Sequence, residues 1–304
     1  MEQKPIIIAC RMDSDRALNL AKNLFNYLNK DKGKEVFLET RIAPRIMPHR
    51  SMDLEEMNTN NVNFVIVIGG DGSILRVVKG LSQKDPPPIF GVNIGSIGFL
   101  DESYEKRVYR DLEKVFNGEY IIENLSKITP YIVKNNSEEL KLGNALNEIL
   151  IVSSKFSKVL QISIKIDGVF LSRSYLDGVI ISTSTGSTAY NLSAGGSIVA
   201  PSLDIIQITE LNPYARSGLK PIIIPINSEV EIRLLRPRLS GKIVIDGQTT
   251  IKEIQPNTKI RIRKARSHAK FIRLSKSLSL NYYKRLRKKI VGNLKIPLDD
   301  SPEE

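Results

Sequence analysis

The chain has 304 residues, 45 Lys+Arg against 33 Asp+Glu, a formal charge of +12 and 41% hydrophobic residues. That is enough apolar material for real cores, and about 150 residues per domain suggests two of them. No apolar run reaches the ~18 residues of a membrane span, Ile6–Cys10 is too short for a signal-peptide core, and the single Cys10 excludes an intrachain disulfide or a cysteine-based zinc site. The expectation is a soluble, cytoplasmic protein.

Pro5–Cys10 is β-branched and reads as a buried strand. Asp13 and Ser14 offer N-cap chemistry for a helix carrying Ala17, Leu18, Ala21, Leu24, Phe25 and Leu28 on one side, with Gly33 at its end. Val36–Leu38 and Asn63–Ile68 are further strands. The second runs into Gly69-Gly70-Asp71-Gly72 and a helix over Ser73–Lys79, followed by a strand at Ile89–Val92. Strands separated by helices predict a doubly wound parallel sheet.

The pattern changes near Leu100. From Tyr120 to about Phe271 it is mostly β, with strands over Ile128–Val133, Ala145–Val152, Leu160–Ile166, Val169–Leu171, Val179–Ser182, Ile222–Ile226, Val230–Leu235, Gly241–Ile245 and Lys259–Ile262. Asp167-Gly168 and Asp246-Gly247 are hairpin turns by composition. The expected architecture is an N-terminal doubly wound α/β domain over 1–101, joined by a returning helix at about 275–295. A β-sandwich-like domain over 102–274 and a loose tail at 296–304 complete it.

Cations crowd toward the C-terminus. Arg261 and Arg263 alternate with Ile260 and Ile262, which predicts a strand with one solvated face. Lys284, Arg285, Arg287, Lys288 and Lys289 surround Tyr283, Leu286 and Ile290, whose helical spacing predicts an amphipathic helix with the cations outward. A phosphate-binding role for a few of them stays open, and so does nucleic-acid binding, although only Tyr282 and Tyr283 offer stacking faces there.

Four segments can carry chemistry. VIVIGGDGSIL (65–75) ends a buried strand in glycines that let a ligand approach the backbone, at a helix start that attracts phosphate. Asp71 there is a proton acceptor, a magnesium contact or a helix cap. GVNIGSIGFL (91–100) is a second glycine-rich turn, lacking the dinucleotide fingerprint. In GNALNEIL (143–150), Asn147 and Glu148 interrupt an apolar pattern and can fork onto ribose hydroxyls, or mark a solvated edge strand. DGVIISTSTGSTAYNLSAGGSIVA (177–200) packs hydroxyls and glycines into material for a polar pocket, with a stacking face at Tyr190. No Walker phosphate loop or zinc helix exists, and His49 and His268 are the only histidines.

In order and spacing these segments resemble the NAD kinase family: the GGDG turn at Gly69–Gly72, the G-x-x-G-F-L turn at Gly95–Leu100, the Asn147-Glu148 pair, the hydroxyl-rich Asp177–Gly196 and the late Asp246-Gly247-Gln248. Ser73 and Ser184 stand where the family often has Thr and Pro. The resemblance implies transfer of the γ-phosphoryl of ATP to the 2′-hydroxyl of the adenosine ribose of NAD, with Asp71 as general base. It further implies that Gly70, Gly72, Phe99, Asn147, Glu148, Asp177, Thr185, Ser187, Thr188, Ala189, Tyr190, Ser193 and Gln248 bind the substrates. Magnesium or another divalent ion would accompany ATP, polyphosphate is an alternative donor, and a homodimer or homotetramer is expected. GGDG alone is shared with lipid and sugar kinases, which is the competing reading.

Overall fold

The computed structural model describes residues 4–291, except 97, 135–137, 156, 215–217, 236–238, 248 and 275–277. In the first module, β1 (Ile6–Cys10), β2 (Val36–Glu39), β3 (Ser51–Met52), β4 (Phe64–Gly69), β5 (Ile89–Asn93) and β6 (Ser103–Tyr104) are linked by α1 (Asp15–Asn26), α2 (Ala43–Ile46) and α3 (Asp71–Gly80). α4 (Val108–Phe116) then leads to β7 (Ile121–Leu125). These strands pair in parallel apart from β7, which lies antiparallel to the returning β20 (Ala269–Arg273). The sheet order is β3-β2-β1-β4-β5-β20-β7, with β6 beside β5.

Parallel strands covered on both faces must be apolar on both. Ile6, Ile8, Phe64, Ile66 and Ile68 accordingly face one core with Ala17, Leu20 and Leu24 of α1 and Leu112 of α4. Ile7, Ala9, Val65 and Val67 face the other, covered by Ile74, Val77 and Val78 of α3. Ser14 caps α1, its Oγ accepting the Ala17 N–H at 3.3 Å.

The second module is a sandwich of two six-stranded antiparallel sheets. Its strands are β8 (Ile128–Val133), β9 (Glu139–Lys141), β10 (Glu148–Ser153), β11 (Leu160–Ile166), β12 (Val169–Leu176) and β13 (Gly178–Thr183). After the short α5 (Tyr190–Ser193) come β14 (Ile205–Leu211), β15 (Ile222–Pro225), β16 (Val230–Leu234), β17 (Gly241–Ile245), β18 (Thr249–Ile254) and β19 (Lys259–Lys264). One sheet runs β15-β14-β13-β10-β17-β18 and the other β12-β11-β16-β19-β8-β9. Alternate residues such as Ile149, Ile151, Ile162, Ile164, Val179, Ile181, Ile232 and Ile243 fill the space between them. Both Asp-Gly turns form: φ is +49° and +81° at Asp167-Gly168, and +51° and +63° at Asp246-Gly247.

Three features depart from the sequence reading. The first sheet claims β7 and β20, so that module extends through Leu125 and resumes at Ala269 rather than breaking at 101 and returning near 275. The pattern after Leu100 hides this, because β7 looks like any other strand of a β-rich stretch. Strand β14 was not expected either; buried Gln207, Thr209 and Glu210 break its apolar pattern. Finally, α6 (Leu278–Leu286) and the wider turn Arg287–Val291 bury Tyr282, while Tyr283 is 53% exposed, so the docked face is rotated by one residue. The tail 296–304 lies outside the described residues. Among those described, no helix is long and apolar enough to cross a membrane.

Candidate active site

β4 is buried on both faces, so its carboxyl end projects Asp71 into the crevice where open α/β sheets hold ligands. The Asp71 carboxylate accepts the N–H of Phe99 on Oδ2 at 3.0 Å and that of Leu100 on Oδ1 at 3.1 Å. Lys289 Nζ lies 3.3 Å from Oδ2. Only glycine fits at 98, because a Cβ there would overlap Asp71 Oδ1 and crowd Asp101 Oδ2.

The second glycine turn is braced from behind. Asp101 accepts the Gly98 N–H at 2.8 Å and an Asn93 amide hydrogen, while Asn93 Oδ1 accepts the Gly95 N–H at 2.6 Å. Arg273 donates to the carbonyls of Leu100 and Asp101 at 3.0 and 3.1 Å, and Glu123 neutralises it at 2.7 Å. Arg285 donates to the Phe99 carbonyl at 2.9 Å.

A second carboxylate gathers amides across the cleft. The tight turn after β17 aims Asp246 at the start of β10, where it accepts the N–H groups of Leu146, Asn147 and Glu148 at 2.9, 2.8 and 3.1 Å. The Asn147–Glu148 backbone is thereby held rigid. Burial, reinforced by the nearby Asp246 charge, raises the Glu148 carboxyl to about 7. Its Oε2 is buried without a partner among the described residues. Burial also raises Asp246, against the pull of its three amides, and lowers Lys127 to about 8.

The hydroxyl-rich segment follows β13 and folds over Asn147. The Thr183 N–H and the Ser182 hydroxyl both reach the Asn147 carbonyl, at 2.9 and 3.3 Å, and a Cβ on Gly186 would overlap that carbonyl. Thr185 and Thr188 line a cleft with Phe99, Leu100, Tyr282 and Arg285. Beside the GGDG turn is a cavity of about 380 Å³ bordered by Arg11, Asp13, Arg41, Gly70, Gly72, Ser73 and Arg76, where Asp13 pairs with Arg11 and Glu39 with Arg76. Asp71 thus bonds the turn that lines one concavity and neighbours Gly70 and Gly72, which line the other.

The model of the ATP-NAD kinase N-terminal domain matches residues 6–120, and that of the ATP-NAD kinase C-terminal domain matches residues 146–274. The chain belongs to the NAD kinase family. The NAD kinase of Thermococcus gammatolerans is 35% identical over 282 residues, covering 93% of this chain and 98% of that protein. The crystal structure of an NAD kinase from Archaeoglobus fulgidus in complex with ATP superposes with a TM-score of 0.71 at 26% identity, covering 93% of this chain and 98% of that one. Yeast NADH kinase complexed with NADH gives a TM-score of 0.82 over 98% of this chain and 90% of that chain; at 22% identity this is a likeness of fold.

Most residues singled out for an NAD kinase converge. Asp71 touches the turn bearing Phe99, Phe99 shares a cleft with Thr185 and Thr188, and Gly186 between them abuts Asn147. Ala189, Tyr190 and Ser193 continue this segment into α5, with Tyr190 and Ser193 exposed.

Two do not join them. Asp177 precedes β13, roughly 20 Å from Thr183 at ~3.3 Å per residue, and is held by Asn212 at 2.9 Å. Residues close in sequence along a strand lie at its opposite ends, so Asp177 does not wall this chain's own cleft. Ser187 is fully buried and exchanges two hydrogen bonds with the Val199 backbone at 3.0 and 3.1 Å, which makes it a brace of the loop. Gln248 lies outside the described residues.

Sequence reasoning missed Asp246 as more than a turn residue, and it missed Arg273, Arg285 and Lys289. The signal for the last two was Tyr282–Arg285–Lys289, whose spacing of three and four puts them on one helix face. The strand cations are instead neutralised on their sheet: Arg263 and Arg261 reach Glu139 at 2.8 and 3.0 Å, with Glu229 and Glu231 alongside.

Proposed function

We propose that this member of the NAD kinase family transfers the γ-phosphoryl of ATP to the 2′-hydroxyl of the adenosine ribose of NAD, giving NADP. The observation that carries the reading is the placement of Asp71, a part-exposed carboxylate held by two amides of the turn that shares a cleft with Thr185 and Thr188, at the start of a helix whose Gly70 and Gly72 line a second cavity. The triphosphate enters that cavity, where Arg41 and the start of α3 favour anions, Arg11 and Arg76 being paired with Asp13 and Glu39. NAD enters the cleft lined by Thr185 and Thr188; on the adjoining segments Glu148, whose Oε2 is buried and unpartnered among the described residues, is the group for a ribose hydroxyl, and exposed Tyr190 offers a stacking face.

Asp71 takes the 2′-hydroxyl proton as that oxygen bonds to the γ-phosphorus. The bond from phosphorus to the bridging oxygen breaks, and ADP leaves with the electron pair. Such a base contributes about 10²–10⁴ in rate, and positioning supplies much of the rest. Magnesium or another divalent ion arrives as part of the ATP substrate, bound to its phosphates.

A lipid or sugar kinase would share only the GGDG turn, and the paired strand cations argue against a nucleic-acid partner. The reading extends to a cytoplasmic homodimer or homotetramer. Exposed Phe170, Tyr175 and Tyr214 near the β12 edge support an assembly surface.

The test is NADP formation from NAD, magnesium and either ATP or polyphosphate, read by an NADP-specific dehydrogenase. The wild-type chain should be active. Asp71→Asn should lose about 10²–10⁴ in kcat while binding NAD within a few-fold of wild type in calorimetry. Full activity in that variant removes Asp71 from its role.

A further inference from the structure

The C-terminal helix does more than return to the first module; it brings a cation to the base. Tyr282, Arg285 and Lys289 share one face. Tyr282 packs against the Phe99 ring with centroids 6.0 Å apart and donates to the Val199 carbonyl at 3.2 Å. Arg285 holds the Phe99 carbonyl at 2.9 Å and Glu102 at 3.2 Å. Lys289 then stands 4.5 Å over the Phe99 ring with its ammonium 3.3 Å from Asp71 Oδ2. The glycine turn, the helix and the base are one assembly.

A carboxylate has about four acceptor directions. Among the described residues, Phe99 N–H and Lys289 take two on Oδ2, and Leu100 N–H takes one on Oδ1. The direction left over belongs to Oδ1. Among the described residues, Asp101 lies across Gly98 from this carboxylate, and Arg285 is 4.0 Å from Asp101.

We infer that Lys289 is a positioning residue of the phosphoryl transfer, acting through Asp71. It occupies Oδ2, so that Oδ1 receives the 2′-hydroxyl proton, and it keeps a fixed positive charge beside the transferring group. The ammonium stays protonated throughout: the proton moves from the hydroxyl to Asp71, and ADP departs with its electron pair. A fixed cation matters here because the chain has no Walker lysine, and preorganised charge is worth most where transition-state charge develops. The inference rests on the NAD kinase reading and on Asp71 as base.

The experiment measures NADP formation by the full-length chain and its Lys289→Ala, Lys289→Met, Lys289→Arg and Lys288→Ala variants. Lys289→Ala should lose about 10²-fold in kcat with KM for NAD within about twofold, whereas Lys289→Arg keeps most of the rate. Added ethylamine should restore part of the rate to Lys289→Ala but none to Asp71→Asn. Lys288→Ala should match the wild type. If Lys289→Ala melts early, Lys289→Met carries the comparison.

A kcat within about twofold of wild type in Lys289→Ala overturns the inference. So does a loss that neither arginine nor amine relieves, since that is the mark of a helix contact alone. A wild-type chain inactive with every donor overturns the NAD kinase reading instead, so the two failures are distinct.

Discussion

Two carboxylates on opposite sides of the cleft gather backbone amides, and they use them differently. Asp71 accepts two amides of the second glycine turn while its side chain remains 26% exposed. Asp246 accepts three consecutive amides and is buried. The exposed one keeps a direction open for a proton and can do chemistry. The buried one spends its acceptors on architecture, and its product is a rigid Asn147–Glu148 pair. An acidic side chain bound by amides is therefore a base or a strut according to what solvent and substrate can still reach.

Glycines beside the two cradles separate the roles most sharply. Gly98→Ala should displace Asp71 and lower kcat by about 10²-fold, since a misplacement of ~1 Å can cost that much. Gly186→Ala presses on the Asn147 carbonyl instead and should raise KM for NAD more than it lowers kcat. Steady-state kinetics of the pair would refute the division if both variants behaved alike.

A smaller effect belongs to the strut. Asp246→Asn turns an amide donor toward amide donors, which should cost about 1–3 kcal/mol and raise KM for NAD. Denaturant melts and kinetics would measure both. An unchanged variant would mean that the loop holds Asn147 without help.

A further effect is a pH slope. Glu148 binds its proton more tightly folded, near 7, than at its ordinary 4.5. Its contribution to stability is therefore full below about pH 4.5 and lost as the pH rises through about 7. Asp246 adds a slope of the same sign. The melting temperature of wild type should fall across this window, and that of Glu148→Gln should fall less. Parallel curves would show that Glu148 titrates normally.

Much of this was legible beforehand. Ile6–Cys10 and Asn63–Ile68 announce buried parallel strands by being apolar on both faces, and GGDG marks where one of them must turn. Asn147-Glu148 stood out as polar residues in an apolar run. Other features were silent. β14 hid behind Gln207, Thr209 and Glu210, whose polar atoms are satisfied by neighbours such as Asn191 rather than by solvent. The C-terminal cations looked like a solvated face because charge predicts exposure until a buried partner is known.

The amino-acid order alone determined two modules, a glycine turn with an aspartate at a strand end, and hydroxyls gathered in one segment. These follow from local periodicity and backbone freedom, which act over a few residues. Only the tertiary structure decided that Asp177 sits a strand's length from the pocket, that Asp246 reaches back across 98–100 positions to three amides, and that Lys289 closes on Asp71 from 218 positions away. Contacts of that range depend on how two modules pack, and no local pattern encodes which charges will meet.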